Sequence, residues 1–503
     1  MSITGPGSIT AANIQAVSNM NQQLDKLSQE LGSGQAAQTY SDLGSQAGLA
    51  LALSGQLAAL NGYSNTATTV GTTLEVAQSV LGQLGDTETG LQQSINQQGS
   101  FTLNANGQTA VQAAAITQFD NILSLLSTQV GGNYIFSGKA TTTPPVASTS
   151  AILNGNGVQA GLSQVITERQ AADLGTGSGR LLLPGTGGGT TVAVSQDVAG
   201  SPFGFKIAGV NSTLTGAVVT GPSGPLNAIS VDLSAATLNS GDTVAFDLTL
   251  PDGSSQTVSL QATTNSPSGA NQFTIGGTPQ QSATNLQAAL STAVDNLAQT
   301  ALPAASAIAA ANNFFNSNPP LRVNGTPVTA TSLVAGTPAN TVFWYTGESS
   351  ATPARQTAIA QVGPSTTIAY GMRATEQAIT TLLANVGAFA ATTFTPGNPS
   401  AQASYQALSQ TVAANLDPQS GTQQISDIEA DLANAQTVMS NAGKLNTQTQ
   451  NTLSDMMQSI DGVDQSKIGE QILTLQNSLS ASLSVTARLA QLSLVNYLSP
   501  VSG

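Results

Sequence analysis

The amino-acid sequence predicts long helices at both ends of the chain, paired as an antiparallel helical bundle or coiled coil, with a β-rich α+β insertion between them. Apolar residues recur every three or four positions in the first and last parts of the chain, which is the spacing of one helix face. In the middle, short alternating stretches are separated by turns rich in Gly, Pro, Thr and Ser. We therefore expect a helical half at residues 1–140, a surface-exposed insertion at 141–362 and a second helical half at 363–503.

The composition argues against two classes of partner. Only 7% of the 503 residues are charged, and the net charge is -14. A nucleic acid requires clustered Lys and Arg for counterion release, whereas the 11 basic residues of this chain are scattered. Anionic membranes are disfavoured for the same reason, and we find no apolar run of about 18 residues to cross a bilayer. We expect no nucleic-acid partner and no membrane partner.

The chain contains no cysteine and no histidine. Disulfides, thiolate or imidazole metal sites, Ser/His/Asp triads and Cys/His pairs are therefore impossible. Carboxylate chemistry from the 25 Asp and Glu residues remains, but no acid pair stands out. The run Gly185–Gly189 lacks the Lys-Ser/Thr of a phosphate loop and predicts a flexible loop instead. We expect no enzymatic activity, no cofactor and no metal site.

The N-terminal part predicts three helices. The apolar stripe of the first ends at Leu31-Gly-Ser-Gly34, where glycines favour a bend, and a second helix should begin near Ser45. The second stripe alternates spacings of four and three over more than three heptads, interrupted only by Glu88, which favours pairing with another helix. A third helix is expected from Val111 to Val130, ended by Gly131-Gly132.

The C-terminal part mirrors this pattern. Apolar stripes run through Ile425–Ala442 and Leu453–Val463, and a terminal helix begins at Ile468 and becomes apolar on several faces. Such a helix must be buried, so its partner is another subunit or the N-terminal helix; a core helix of a monomeric bundle is the alternative. The predicted assembly interface takes leucines from both ends of the chain: Leu24, Leu27, Leu31, Leu475, Leu479, Leu483, Leu489, Leu492 and Leu498.

The insertion predicts both strands and helix. The alternating residues from Val244 to Leu260 flank Pro251-Asp252-Gly253, whose turn chemistry predicts a hairpin. An apolar stripe predicts a helix over Ser282–Leu297, and the aromatic run Thr341–Tyr345 predicts a buried strand. The insertion is therefore expected to fold as a separate α+β domain.

A motif near the N-terminus resembles the flagellin superfamily. It consists of Leu27–Gly34 (LSQELGSG), followed by Ser41-Asp42 and by Ala47–Ala50 (AGLA). The family signature combines Leu/Ser-Gly with Asp/Ala-Gly-Leu, and it usually carries two Asp residues where this chain has only Asp42. The resemblance implies a structural subunit with helical ends.

Three further motifs are similar to hook-filament junction proteins, which are hook-associated proteins of the same superfamily. Gly132–Gly138 (GNYIFSG) resembles the end of their first helical half, and Ala487–Leu498 resembles their C-terminal ending more than that of filament flagellins. Phe343–Gly347 (FWYTG) with Tyr370–Glu376 (YGMRATE) is similar to the re-entry into the helical region in some members. The central insertion resembles no family that we can name.

The aromatic residues of the GNYIFSG motif are candidates for a domain junction. Tyr134 and Phe136 could anchor the junction by packing on the helices below, and core packing without a specific role is the alternative. No residue of the chain stands out as a catalytic candidate.

The resemblance also implies how the protein is used. The terminal helices would pair to form the inner tube of a hollow filament, in contact with copies of the same chain and with other flagellar axial subunits. The chain would leave the cell unfolded through the flagellar type III machinery, without a cleaved signal peptide, and reach the extracellular flagellum. A cytoplasmic export chaperone would shield the terminal helix before export.

Four functional hypotheses follow. The first is a structural subunit at the hook-filament junction that self-assembles for cell motility, and the second is a filament flagellin. The third is an exported adhesin or glycan-binding protein in which the insertion binds the ligand and the helices serve as a stalk. A carboxylate-dependent hydrolase is the fourth, and the composition argues against it.

Overall fold

The computed structural model describes the backbone of residues 6–36, 39–97 and 101–497, and the side chains of these residues apart from 6–10, 40–42, 489–490 and 492–497. The described chain forms two compact units. The helical unit comprises the described residues of Met1–Thr69, Gln361–Ile368 and Thr437–Gly503. The mixed unit comprises those of Val70–Ala360 and Ala369–Gln436. The expected domain boundaries at residues 141 and 362 stay predictions.

Long helices form both ends of the described chain, as the apolar stripes predict. The second helix begins at Ala47, close to the expected Ser45, and the last two helices follow the stripes that begin at Ile425 and Ile468. The described helices are α1 (Pro6–Ser33), α2 (Ala47–Asn96), α3 (Ala110–Leu126), α4 (Thr149–Asn154), α5 (Leu162–Leu174), α6 (Pro279–Gln299), α7 (Ala301–Asn316), α8 (Gln377–Ala391), α9 (Ala401–Leu416), α10 (Ile425–Asp461) and α11 (Gln465–Tyr497).

The strands of the described residues lie in the middle of the chain. They are β1 (Gln129–Val130), β2 (Asn133–Tyr134), β3 (Leu181–Leu182), β4 (Thr191–Gln196), β5 (Lys206–Ser212), β6 (Val218–Ser223), β7 (Ala228–Asp232), β8 (Thr243–Thr249), β9 (Ser255–Thr263), β10 (Gln272–Thr274), β11 (Leu321–Val323), β12 (Leu333–Ala335), β13 (Ile359–Gln361) and β14 (Thr367–Ala369). Two sheets have four strands each, in the orders β10-β9-β8-β5 and β3-β4-β7-β6. The predicted fold class, long terminal helices around a β-rich centre, is confirmed.

The sheets and α6 share one core in the mixed unit. Strand β8 buries alternate side chains, Val244, Phe246 and Leu248, because successive residues of a strand point to opposite faces. The same buried cluster includes Leu286 and Leu290 of α6. The predicted hairpin is confirmed: β8 and β9 pair antiparallel around a turn in which only Gly253 has a positive φ, +88°.

The third N-terminal helix ends earlier than its apolar spacing predicts. Helix α3 starts with a capping box between Thr109 and Gln112 and ends at Leu126, where the Ser127 N–H bonds back to the last turn. Val130 therefore lies in β1, which pairs with β2 across the tight turn Gly131-Gly132. The expected helix to Val130 is wrong because its last apolar position belongs to a short hairpin.

The predicted strand at Thr341–Tyr345 is also wrong. This segment makes only isolated bridges, between Thr341 and Ala160 and between Tyr345 and Val146. Trp344 is nevertheless buried, with its ring centre 5.3 Å from that of Phe315. The apolar run packs through its side chains and not through a strand ladder, a distinction that a short apolar run alone does not reveal.

One stretch meets the length and composition expected of a membrane-spanning helix. It lies within Leu43–Asn96. This stretch is not a continuous apolar run, but its leucines and alanines outweigh the small polar residues between them and raise its mean hydropathy. Core helices of soluble proteins pass the same test, so this finding carries little weight. The expectation of no membrane partner stays a prediction.

Candidate assembly interface

Helices α1 and α11 form the first helix pair of the helical unit. A backbone bridge between Gln35, just after α1, and Gly462, just before α11, places the end of α1 beside the start of α11, so the two helices run antiparallel. A groove of about 650 Å³ lies between them, and both Leu27 and Leu475 line it. Two of the predicted leucines, Leu27 and Leu475, are thus brought together in this pair.

The other predicted interface leucines differ in their environment. Leu24 and Leu479 are half-buried on the same helices, whereas Leu31 and Leu483 are exposed. The side chains of Leu489 and Leu492 are outside the described set, and Leu498 lies outside the described residues. A role in assembly for these leucines stays a prediction.

A second helix pair joins the first part of α2 to the last part of α10. Leu53 and Leu60 of α2 form a buried cluster with Leu453 of α10. Half-buried apolar side chains surround the cluster: Leu57, Tyr63, Met457 and Ile460. The periodicity indicated the leucines and Ile460 of this cluster, but not Tyr63 or Met457. The pairing of the two segments could not be read from the sequence, because they are far apart along the chain.

The helices of the helical unit are interrupted at the same level on both sides, after α1 and between α10 and α11. Gly34, with φ +73°, follows α1, and Gly462 lies between α10 and α11. The Ala36 N–H donates to Asp461 O at 2.6 Å, and the Val463 N–H donates to Gly34 O at 3.2 Å. Two backbone hydrogen bonds therefore tie the two chain segments together at this level.

The helical unit leaves many large apolar side chains in contact with solvent. Their exposed fractions run from 37% to 63%, although both helix pairs are formed: Ile14, Leu31, Leu49, Leu51, Val438, Leu445, Met456, Leu473, Leu483 and Val485. Val438, Leu445 and Met456 are separated by 7 and 11 residues, which places them along one side of α10. Apolar surface of this extent on a helical unit is typical of an interaction surface.

Charges contribute little to this unit. Within its described residues, the ion pair between Lys26 and Glu30 on α1 has an N–O distance of 3.8 Å, and the lysine is largely exposed. Exposed pairs of this kind contribute at most about 1 kcal/mol to stability. Association through this surface would therefore depend mainly on apolar burial.

Two of the three motifs that resemble junction proteins, GNYIFSG and FWYTG with YGMRATE, come together inside the mixed unit. The Gly138 N–H donates to Met372 O at 3.0 Å, the Ala374 N–H to Phe136 O at 2.9 Å, and the Glu348 N–H to Ser137 O at 3.0 Å. GNYIFSG thus bonds to both of the later motif regions, FWYTG with its following residue and YGMRATE. Segments more than 200 residues apart in sequence form one backbone network.

Side chains reinforce this network. Arg373 donates to the carbonyl of Ser350 at 2.7 Å and to that of Thr352. Hydrogen bonds from Ser350 and from the Lys139 N–H lower the pKa of Glu348, whereas burial raises the pKa of Tyr345 to about 12. Glu348 therefore stays ionised near neutral pH and accepts these hydrogen bonds as a carboxylate, whereas the Tyr345 phenol stays neutral.

The two predicted junction aromatics lie next to this network. Phe136 is fully buried and Tyr134 is half-buried, both within the mixed unit. Burial fits both anchoring and plain core packing, so their role at a domain junction stays a prediction.

Nothing in the described ranges assembles a metal site. No group of three or more Asp or Glu side chains there could hold an ion. A cavity of about 360 Å³ in the mixed unit is lined by Glu88, Asp252 and Asp417 together with Asn and Gln side chains. Burial raises the pKa of Glu88, the residue that interrupts the α2 stripe.

Comparison with known proteins identifies one region. The family model described as the bacterial flagellin N-terminal helical region matches residues 8–141, which cover α1 from residue 8 onward, α2 and α3. No curated protein matches the chain. This match supports a place for the chain in the flagellin superfamily, as a structural subunit of the bacterial flagellum that self-assembles into its axial structures.

Proposed function

We propose that the protein is a structural subunit at the hook-filament junction and that it self-assembles through its paired terminal helices. The observation that carries the proposal is the apolar surface that α1, α2, α10 and α11 leave exposed after pairing. Burying such surface contributes about 25 cal/mol per Å², so neighbouring copies gain stability by covering it. An interface of about 2,000 Å² or more would make the assembly obligate.

The assembly surface includes the predicted leucines on α1 and α11. Leu31 and Leu483, which are exposed in the single chain, would pack against neighbouring subunits. Leu24, Leu27, Leu475 and Leu479 would hold the pair together within one subunit. The exposed side of α10 with Val438, Leu445 and Met456 extends this surface beyond the leucines that the sequence indicated.

The junction role rests on three motif segments of the mixed unit, GNYIFSG, FWYTG and YGMRATE. The later motif regions resemble those of junction proteins, and their backbones bond to GNYIFSG in the mixed unit. The motifs thus correspond to one structural element, which supports their use as a signature. Tyr134 and Phe136 would stiffen this element where the helical half ends.

Cells that lack the gene provide the test. The junction role predicts that these cells keep a hook but release filament subunits into the medium, because the filament has nothing to attach to. Restoring the gene should restore attached filaments. Filaments that remain attached to the hook in the deletion strain would contradict the junction role.

Filament flagellin is the second candidate, favoured by the match of residues 8–141 to the flagellin N-terminal helical region. Immunogold labelling separates the two roles through copy number. A junction subunit gives a narrow band of label at the base of the filament, whereas a filament subunit is labelled from base to tip.

The same proposal includes how the protein leaves the cell, where it acts and which proteins it contacts. It would be exported without a cleaved signal peptide, act outside the cell, contact other axial subunits and bind an export chaperone through α11. Pull-down of the full-length chain from cytoplasm, with and without residues 465–497, tests the chaperone. Equal capture of the same partner by both forms would contradict this part of the proposal.

A further inference from the structure

A buried asparagine interrupts the inward side of α10. Met439, Ala442 and Leu453 are buried on that side, at spacings that place them on one helix face. Asn446 lies on the same face and is only 2% exposed. A buried amide without a partner would cost about 1–3 kcal/mol, so its position requires a specific hydrogen bond.

The partner of this asparagine belongs to the tip of the β13–β14 hairpin. Asn446 Nδ2 donates to Val362 O at 2.8 Å, across 84 residues of sequence. The Val362 N–H is bonded inside the hairpin, to Thr366 O at 2.9 Å. The hairpin itself satisfies the Val362 N–H, whereas the Val362 carbonyl gains its partner on α10 only when the tip is docked.

The hairpin tip also buries apolar surface. Val362 is fully buried and Ile368 is nearly so, and both lie in the helical unit. Gln361 at the start of the tip donates to Tyr63 Oη of α2 at 3.5 Å. The tip Gln361–Ile368 therefore contacts α10 and α2, the two helices of the second pair, and covers their stripe at this level.

We infer that the tip Gln361–Ile368 is an intramolecular strap, positioned by Asn446, that keeps a second copy of the chain off the inward face of the α2/α10 pair. A shift of the strap by one residue would place an N–H, or a group that points away, opposite Asn446 in place of the Val362 carbonyl. The side-chain amide of Asn446 would then lose its acceptor. A single buried Asn sets helix register in the same way in coiled coils. This inference rests on the proposed function, because it specifies which part of the helical unit neighbouring copies can reach.

The strap leaves a defined surface for neighbours. Leu445, adjacent in sequence to Asn446, is 60% exposed on the side that the strap does not cover. Contacts between copies are therefore directed to the side with Val438, Leu445 and Met456, while the inward stripe stays closed in every subunit. A released strap would open Val362, Ile368 and the stripe together.

Hydrogen exchange of the full-length chain tests the docking directly. Asn446→Ala should speed exchange of the Val362 N–H at least about tenfold, the factor that corresponds to about 1.4 kcal/mol. Asn441→Ala, an exposed asparagine on the same helix, is the matched control and should leave the rate unchanged. Unchanged exchange in Asn446→Ala, or equal acceleration in both variants, would overturn the inference.

A second variant keeps the test informative if Asn446→Ala does not fold. Asn446→Asp has the same size but lacks the amide donor when ionised, and its protonated acid can donate to Val362 O. The protection of the Val362 N–H, corrected for intrinsic exchange, should fall at pH 8 and return at pH 4. Protection that does not depend on pH in this variant would contradict the strap.

Self-association distinguishes the strap from the proposed function. At a concentration where the unmodified chain sediments as a monomer, Asn446→Ala should sediment as larger species and Asn441→Ala should not. A monomeric Asn446→Ala chain would overturn the shielding role. If deletion of the gene leaves flagella intact, the proposed function fails, but the exchange result still decides whether the strap exists.

Discussion

Helices α8 and α11 show how differently the two units of this chain use similar residues. Helix α8 in the mixed unit buries 13 of its 15 residues, among them Leu382, Leu383 and Phe389. Helix α11 in the helical unit is 33 residues long, and Ile468 is the buried apolar residue within its described side chains. The mixed unit completes its core within one chain, whereas the helical unit presents apolar stripes that a single chain does not cover. Under the proposed function, folding would depend on the mixed unit and assembly on the helical unit.

The largest expected effect is the difference in unfolding free energy between a Leu→Ala substitution in the mixed unit and one in the helical unit. Leu383→Ala removes a fully buried side chain from α8 and should cost about 2–5 kcal/mol of unfolding free energy. Leu473→Ala removes a side chain that is 63% exposed on α11 and should change it by less than about 0.5 kcal/mol. Chemical denaturation of both variants measures the difference, and polymer yield should fall for Leu473→Ala. Equal losses of unfolding free energy in the two variants would contradict the difference between the units.

The next effect concerns the network that joins the motif segments. Arg373→Lys keeps the positive charge but loses the fork that reaches Ser350 O and Thr352 O, so we expect a loss of about 1–3 kcal/mol in the mixed unit. Thermal denaturation followed by near-ultraviolet circular dichroism, which reports tertiary packing, would detect it. Arg488→Lys on the exposed side of α11 is the control and should be neutral.

A smaller effect is expected at the interruption between α1 and α2. Gly34 has φ +73°, a conformation in which Ala is strained, so Gly34→Ala should cost about 1 kcal/mol. Gly32 lies inside α1 with open space around it, and Gly32→Ala should stabilise the helix by about 0.5–1 kcal/mol. Helix content at equal concentration should therefore move in opposite directions. A gain in both variants would mean that the bend at Gly34 is not required.

The smallest effect depends on pH and on Glu88. Burial raises its folded-state pKa above the ordinary value of 4.5, so the folded chain binds the proton more tightly than the unfolded chain. The free energy of unfolding therefore falls as pH rises through the raised pKa, because Glu88 ionises in a buried position. Below the ordinary pKa of 4.5 the carboxyl is protonated in both states, and no stability is lost. Glu88→Gln should raise the melting temperature of the mixed unit at pH 7.5 and leave it unchanged at pH 4. A gain of equal size at both pH values would contradict the burial effect.

Elements with local periodicity could be predicted from the sequence. The stripes of α1, α2, α10 and α11 repeat over several turns, and the β8–β9 hairpin carries turn chemistry in Pro251-Asp252-Gly253. The end of α3 was not predicted because Val130 continues the helical spacing although it belongs to a local hairpin, and the segment around Trp344 was not predicted because it depends on side-chain packing. Val130 fits a helical spacing but pairs in β1, and Trp344 fits a strand but packs on Phe315.

The candidate assembly surface was predictable only in part. Leu27 and Leu475 were indicated by periodicity, and they line one groove. The exposed side of α10 was not recognised: Met456 was assigned to the inward stripe, and Val438 and Leu445 are too widely spaced to form a stripe of their own. Asn446 was missed because a polar residue within a stripe looks like an interruption, and its partner Val362 is 84 residues away.

The central claim is that the helical unit is completed by neighbouring molecules. Limited proteolysis of the purified full-length chain at increasing concentration, with sedimentation velocity on the same samples, tests it most directly. The account predicts that cleavage within residues 6–33 and 465–497 is rapid while the chain is monomeric and slows as larger species form, with the mixed unit protected throughout. A chain that stays monomeric at high concentration while both terminal segments resist cleavage would contradict the account.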